Sequence, residues 1–223
     1  MHKTTLGWLT LLLAMVVLGL AVLPVWAWPA AATPAGPTSP AMALTPPDGS
    51  RPRPGLSASH EMTLQPGEGD TTTLRDAQIR DDTPDANDAN GALQVRAYGP
   101  EQRSLLLWKL PEALDGATIE SARLELYFYY RSKETEQEIA LYEVLLDWDE
   151  AAVTWRQRTA GATWNTAGCS AAGLDRASAP VFTCLIAATD PKGTWHAWDV
   201  TPLVAKWAQQ PGANHGLILV STG

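Results

Sequence analysis

The chain has 223 residues, a formal net charge of −8 and two cysteines. That acidity argues against duplex nucleic acid, whose phosphates need a basic face. The length allows one domain, or one domain with a tail, and two cysteines without further ligands do not make a metal centre.

The chain opens with Lys3 and then runs from Thr4 to Trp28 without a charge. Leu9 to Leu23 is almost purely aliphatic, Pro24 breaks the run, and Val25-Trp26-Ala27 offers a small-x-small cleavage site. Residues 1–27 therefore read as a secretory signal peptide. The rival reading is an uncleaved signal anchor, because the apolar run approaches the roughly 20 residues that span a bilayer. Either way Lys3 stays inside and the remainder is exported, so the expected location is secreted or on the outer face of the cell envelope. Membrane contact is expected only through such an anchor, and no cysteine lies near the run to carry a lipid.

Residues 28–69 carry prolines at 29, 34, 37, 40, 46, 47, 52, 54 and 66. Such a stretch buries too little apolar surface to offset its ordering entropy and reads as a disordered, extended linker.

Beyond it, residues 70–223 read as one domain of short alternating strands, the pattern of a β-sandwich or barrel. Ala77 and Ile79, then Leu93 and Val95, then Leu106, Trp108 and Leu110 mark three strands. In the next, Ala122, Leu124, Leu126, Phe128 and Tyr130 face inward, leaving Arg123, Glu125, Tyr127, Tyr129 and Arg131 outward. Ile139 to Leu146 is apolar on both faces and suits a central position. Val181 to Ala187, Thr194 to Val200 and Gly216 to Ser221 complete the strands. Thr201 as N-cap, Pro202 in the first turn, and Leu203, Val204 and Trp207 on one face predict a short helix, lying as a lid on the sandwich.

A series of landmarks then carries a family resemblance. They are Asp76 to Arg80 with the Asp/Asn-rich loop to Gly91, Leu93 to Arg96, Arg103 to Leu110, and Ala117 to Leu126. Asp147-Trp148-Asp149-Glu150 through Trp155, Trp198 to Trp207, and Asn214 to Leu219 follow in order. This sequence of pieces resembles the DNRLRE (disaggregatase-related) domain, also treated as a carbohydrate-binding module family. The resemblance implies an all-β fold, a jelly-roll type β-sandwich found in exported proteins, with polysaccharide binding in some relatives. Members usually continue past the Gly-Leu-Ile-Leu strand into one more. The stop at Gly223 therefore predicts a C-terminally incomplete domain: either a fragment, the favoured reading, or a missing last strand that leaves an unpaired, aggregation-inviting edge.

Four sets of residues are candidates for function. Arg123, Tyr127, Tyr129 and Arg131 form an outward row about 7 Å apart, which Arg80, Arg96 and Tyr98 extend if their strands share the sheet. Arginine forks bind carboxylates and tyrosines offer flat amphipathic faces, suiting a polysaccharide, including an acidic one such as a uronate polymer. Against this stands ordinary cross-strand pairing on a solvated sheet. Asp85, Asn87, Asp88 and Asn90 are spaced loosely like a calcium loop, without its terminal bidentate Glu, and Asx-rich loops are also common turns. Cys169 and Cys184 are expected to pair in an oxidising compartment, closing a loop of about 15 residues worth about 3 kcal/mol.

Most of the domain's tryptophans read as packing, Trp148 and Trp155 as clamps on their turn, with Trp164 and Trp195 less constrained. Glu134, Glu136 and Glu138, and the cluster Asp147, Asp149 and Glu150, provide carboxylates for glycoside hydrolysis, but no recognisable catalytic arrangement accompanies them. The sequence thus predicts a non-catalytic exported module that binds extracellular or cell-surface polysaccharide. A structural or adhesive spacer, or a non-catalytic fragment of a polysaccharide-degrading enzyme, are the alternatives.

Overall fold

The computed structural model describes residues 9–19, 61–64, 74–89, 92–131 and 135–222; for 9–19 and Glu61 it describes the backbone alone. In chain order the strands are β1 Leu9–Gly19, β2 Glu61–Leu64, β3 Leu74–Arg80, β4 Leu93–Val95, β5 Gln102–Trp108, β6 Ser121–Arg131 and β7 Gln137–Glu143. There follow β8 Gln157–Thr159, β9 Ala162–Thr163, β10 Phe182–Ile186, β11 Thr194–Asp199, the helix α1 Thr201–Gln209, and β12 Leu217–Ser221.

Two antiparallel sheets face each other. One runs β11-β6-β1-β2, with β4 also paired to β1, and the other runs β10-β7-β12-β5-β3. From β3 to β7 the chain changes sheet at every step, and again at β10 to β11 and β11 to β12. This is the crossing pattern of a jelly roll, as expected.

Alternation puts Ala122, Leu124, Leu126 and Phe128 of β6 and Trp198 of β11 between the sheets. There they meet Leu106 and Trp108 of β5, Ile139 and Leu141 of β7, and Leu217 and Leu219 of β12. Helix α1 closes one end of this core with Leu203, Val204, Trp207 and Ala208. Thr201 does not cap it. It is the first helical residue: its N–H donates to Asp199 Oδ1 (2.9 Å), and its hydroxyl accepts from the Ala122 N–H (2.9 Å).

Apart from its β10 edge, where Phe182 and Leu185 are exposed, the second sheet is buried on both faces. Ala77, Ile79, Leu105, Ile218 and Val220 point away from the first sheet and are covered by Val144, Trp148, Val153, Trp164 and Cys169. All five covering residues come from the excursion joining β7 to β10. Double burial explains why β12 and the segment around β7 read as continuous apolar runs rather than alternating ones.

Polar contacts hold the excursion down. Trp148 Nε1 donates to the His215 carbonyl (3.0 Å) and Trp164 Nε1 to that of Thr154 (3.2 Å). The Arg103 guanidinium lies 5.0 Å from the Trp155 ring centroid and donates to the Gly168 carbonyl and Ser170 Oγ. Asp175, fully buried, accepts from the Asn165, Thr166 and Ala171 N–H groups and from the Asn165 amide. Burial pushes that carboxyl up, but these donors outweigh it and hold it below its ordinary value.

Two expectations are corrected. The cysteines are free, because Cys169 packs among the excursion residues on one face of the second sheet while Cys184 packs against the inter-sheet core on the other. The final strand is not an exposed edge: β12 is hydrogen-bonded on both sides, to β5 and β7. In the first sheet, the place between β6 and β4 holds β1. β1 falls within residues 1–27, read above as an export leader. Glu61–Leu64, expected in the linker, form β2, and the rest of both segments lies outside the described residues.

Two consequences can be measured. Gly216 has φ +81°, and a Cβ there would stand 2.2 Å from the Leu106 carbonyl oxygen across the β5–β12 pair. Gly216→Ala should therefore cost on the order of 3 kcal/mol in urea unfolding; an unchanged midpoint would contradict this packing.

Asp76 of β3 is half-buried beneath the excursion, and its N–H donates to Glu150 Oε1 (3.2 Å). Burial, then the Glu150 charge, push its carboxyl up to about 6. The folded state binds this proton more tightly than the unfolded chain, so stability falls as pH rises from about 4 through about 6. Asp76→Asn should raise the melting temperature by about a few degrees at pH 7.5 and leave it unchanged at pH 4. A variant equally shifted at both pH values would show that ionisation is not the cause.

Candidate functional site

With the second sheet covered, the first sheet presents the broad solvent face. On β6, the buried alternation from Ala122 to Phe128 turns Arg123, Glu125 and Tyr127 outward. Antiparallel β11 lies beside it with Asp199 opposite Arg123, Ala197 opposite Glu125 and Trp195 opposite Tyr127. Trp198 is inward and fully buried, so Trp195, three residues earlier, is outward and 47% exposed.

Its ring meets Tyr127 edge to face, centroids 5.4 Å apart at 61°. The turn into β11 supports the pair. Gly193 adopts φ +85°, and a Cβ there would sit 3.2 Å from the Tyr127 hydroxyl. Arg123 is 59% exposed, with its guanidinium 3.8 Å from the Glu125 carboxylate.

The expected row of four does not continue. In the β1–β6 pairing, Thr10 lies opposite Tyr130 and Leu11 opposite Phe128, so Tyr129 is an extra residue in a bulge. Tyr129 and Tyr130 are consequently both exposed, and the parity of the strand flips. Arg131, expected outward, is buried and donates to the carbonyls of Ala187, Ala188 and Asp190. It fastens the β10–β11 loop, whose Lys192 ammonium stands 5.2 Å from the Tyr130 ring centroid.

Nor do the other cations join the row. Arg80 ends β3 in the second sheet and pairs with Asp82 through two bonds of 3.0 and 2.9 Å. Arg96 donates to the Pro100 carbonyl (2.6 Å) and closes the β4–β5 turn, where Tyr98 stands 62% exposed. Arg96 and Tyr98 therefore belong to that turn and not to the β6 surface.

The Asp/Asn-rich loop docks on the excursion. Asn87 Nδ2 donates to the carbonyls of Glu150 (2.7 Å) and Val153 (2.8 Å), and Asp85 pairs with Arg156 at 2.7 Å. The Asp88 carbonyl accepts from the Gln78 N–H, and its carboxylate lies 3.9 Å from Arg80; Asn90 lies outside the described residues. Among the described residues no group of three or more His, Cys, Asp and Glu is gathered as metal ligands.

The acidic residues have structural partners too. Asp149 Oδ1 accepts from the Ala151 N–H, and Asp147 lies 2.8 Å from His215 Nδ1. Glu134 lies outside the described residues. A separate cavity of about 640 Å³ opens beside α1, lined by Arg75, Lys109, Glu112, Asp115, Asp147 and Trp207. Its charges are mixed, with no aromatic platform, since Trp207 is itself buried in the core.

Sequence reasoning placed Trp164 and Trp195 on the same footing, and the structure separates them: Trp164 is buried in the excursion and Trp195 is exposed on the sheet. The signal was available, since Trp195 and Trp198 differ in strand parity and only one can be core.

No curated protein and no solved structure gives a significant match. A scan against protein families matches residues 76–222, from β3 to the end of β12, to the disaggregatase related repeat domain. That span contains both sheets' covalent framework from β3 onward, the excursion and the exposed aromatic face, and the chain belongs to the disaggregatase-related (DNRLRE) repeat family.

Proposed function

We propose that this domain is a non-catalytic module of exported proteins that binds extracellular or cell-surface polysaccharide on the outer face of its first sheet. The observation that carries the reading is Trp195 held against Tyr127 and open to solvent. An exposed tryptophan on a regular strand forgoes the stabilisation that burial would give it, and such surfaces mark binding sites. Aromatic faces suit the apolar C–H face of a pyranose while their polar edges and neighbouring charges take its hydroxyls. Tyr129, the exposed residue of the bulge, lengthens the platform along β6.

The withdrawal of Arg131 into the β10–β11 loop leaves Arg123 beside Glu125 and opposite Asp199. That balance of charge favours a neutral polysaccharide over a uronate polymer. Membership in the repeat family is consistent with a carbohydrate-binding-like module. The spacer reading requires no ligand, so it is separated by binding alone.

Affinity electrophoresis against neutral and uronate polysaccharides tests the proposal. Retardation by a neutral glycan is expected, and Trp195→Ala or Tyr127→Ala should weaken it about tenfold, the loss of one good aromatic contact. Trp195→Ala should lower the melting temperature by no more than about a few degrees, because the ring is half-exposed and its main packing partner is Tyr127. No retardation in any gel would make the module a spacer, and retardation indifferent to both variants would move the site elsewhere.

A further inference from the structure

In the first sheet, β1 is hydrogen-bonded to β6 along one edge, and to β4 (at Leu9–Leu11) and β2 (at Val16–Gly19) along the other. It is the sole ladder joining β11 and β6 to β2 and β4 among the described residues. Without it the first sheet divides in two. The backbone edge of β6 from Ser121 to Arg131 would then be unpaired, beside a core that includes Leu64, Leu93 and Val95.

The strand in this place is unlike the others. Leu9–Gly19 carries no charge and no proline, and it reaches the sheet across residues 20–60, which hold nine prolines. Closing so long a connection costs little more than closing one half its length. The same residues also have the composition of an export segment, which a membrane or a signal-processing step would take from the sheet.

We propose that the place between β6 and the β2/β4 pair is a strand-acceptor site. Leu9–Gly19 fills it in cis, and when that segment is withdrawn the site takes an uncharged, proline-free aliphatic strand of about ten residues from another chain. Recognition is β-augmentation: backbone bonds to β6 supply affinity, and the apolar character of the incoming strand completes the inter-sheet core. An open acceptor site exposes a long edge of the kind that otherwise aggregates, which gives the exported domain a reason to find a partner strand. The site differs from the glycan face, although both use β6.

Two measurements on the full chain test it. Val16→Pro, which removes a backbone donor within β1, should lower the melting temperature on the order of 10 °C, whereas Leu6→Pro, outside β1, should not. An unchanged Val16→Pro melt would overturn the proposal.

In the second measurement, a protease site inserted between Pro40 and Ala41 is cut, and a biotinylated peptide spanning Leu9–Gly19 with lysine tails is added. The cut chain should take up one peptide per domain while the intact chain takes up far less. A peptide with proline at the Val16 position should bind at least about tenfold more weakly. If the cut chain precipitates, the peptide should keep it soluble. No uptake, or uptake indifferent to the proline, would overturn the acceptor site, and glycan retardation of the intact chain is unaffected by either result.

Discussion

Burial of β3, β5 and β12 of the second sheet on both faces is the constraint from which the rest of the architecture follows. A sandwich sheet ordinarily packs one face on its partner and wets the other, and its strands alternate accordingly. Here Ile218 and Val220 of β12, Leu105 of β5 and Ala77 and Ile79 of β3 cannot face water, so the chain must cover them. The excursion between β7 and β10 does so with Trp148, Val153 and Trp164. Its own polar groups are met by the His215 and Thr154 carbonyls, the Asn87 amide, Arg103 and the buried Asp175. Each of these contacts answers a polar group that the cover itself would otherwise bury unsatisfied.

That cover also decides where function can lie. In the Trp148 and Trp155 segment the rings serve packing: Trp148 is buried and the Arg103 guanidinium lies over Trp155. The opposite sheet stays open, and there Trp195 and Tyr127 lie on adjacent antiparallel strands. The acidic residues follow the same division. Asp149, Glu150 and Asp175 serve turns and the docked excursion, and Asp76 carries an electrostatic cost for lying under it.

Much of this was legible in the residues. Alternation in β6 gave the inward set from Ala122 to Phe128, and the continuous apolar run near Ile139 correctly marked a central strand. The landmarks carried the family, and with it the sandwich. What failed did so for physical reasons that a single sequence hides. Arg131 turned inward because a bulge at Tyr129 reversed strand parity, and a bulge leaves no mark in composition. Cys169 and Cys184 looked like partners across a short loop, but the sheet between them separates their environments. Asn87 and Asp85 have partners on the excursion, more than sixty residues away, which spacing alone does not show. β1 pairs with β6 although its residues have the composition of an export segment.

Solvent labelling of the tryptophans and tyrosines tests the central claim directly, because it reads both sheets at once. Hydroxyl-radical footprinting resolved by residue should modify Trp195 and Tyr129 rapidly and leave Trp148 and Trp164 nearly untouched, with Trp195 further protected by saturating polysaccharide. Rapid labelling of Trp148 and Trp164 in the folded protein would contradict the account, since the second sheet would then be the open one.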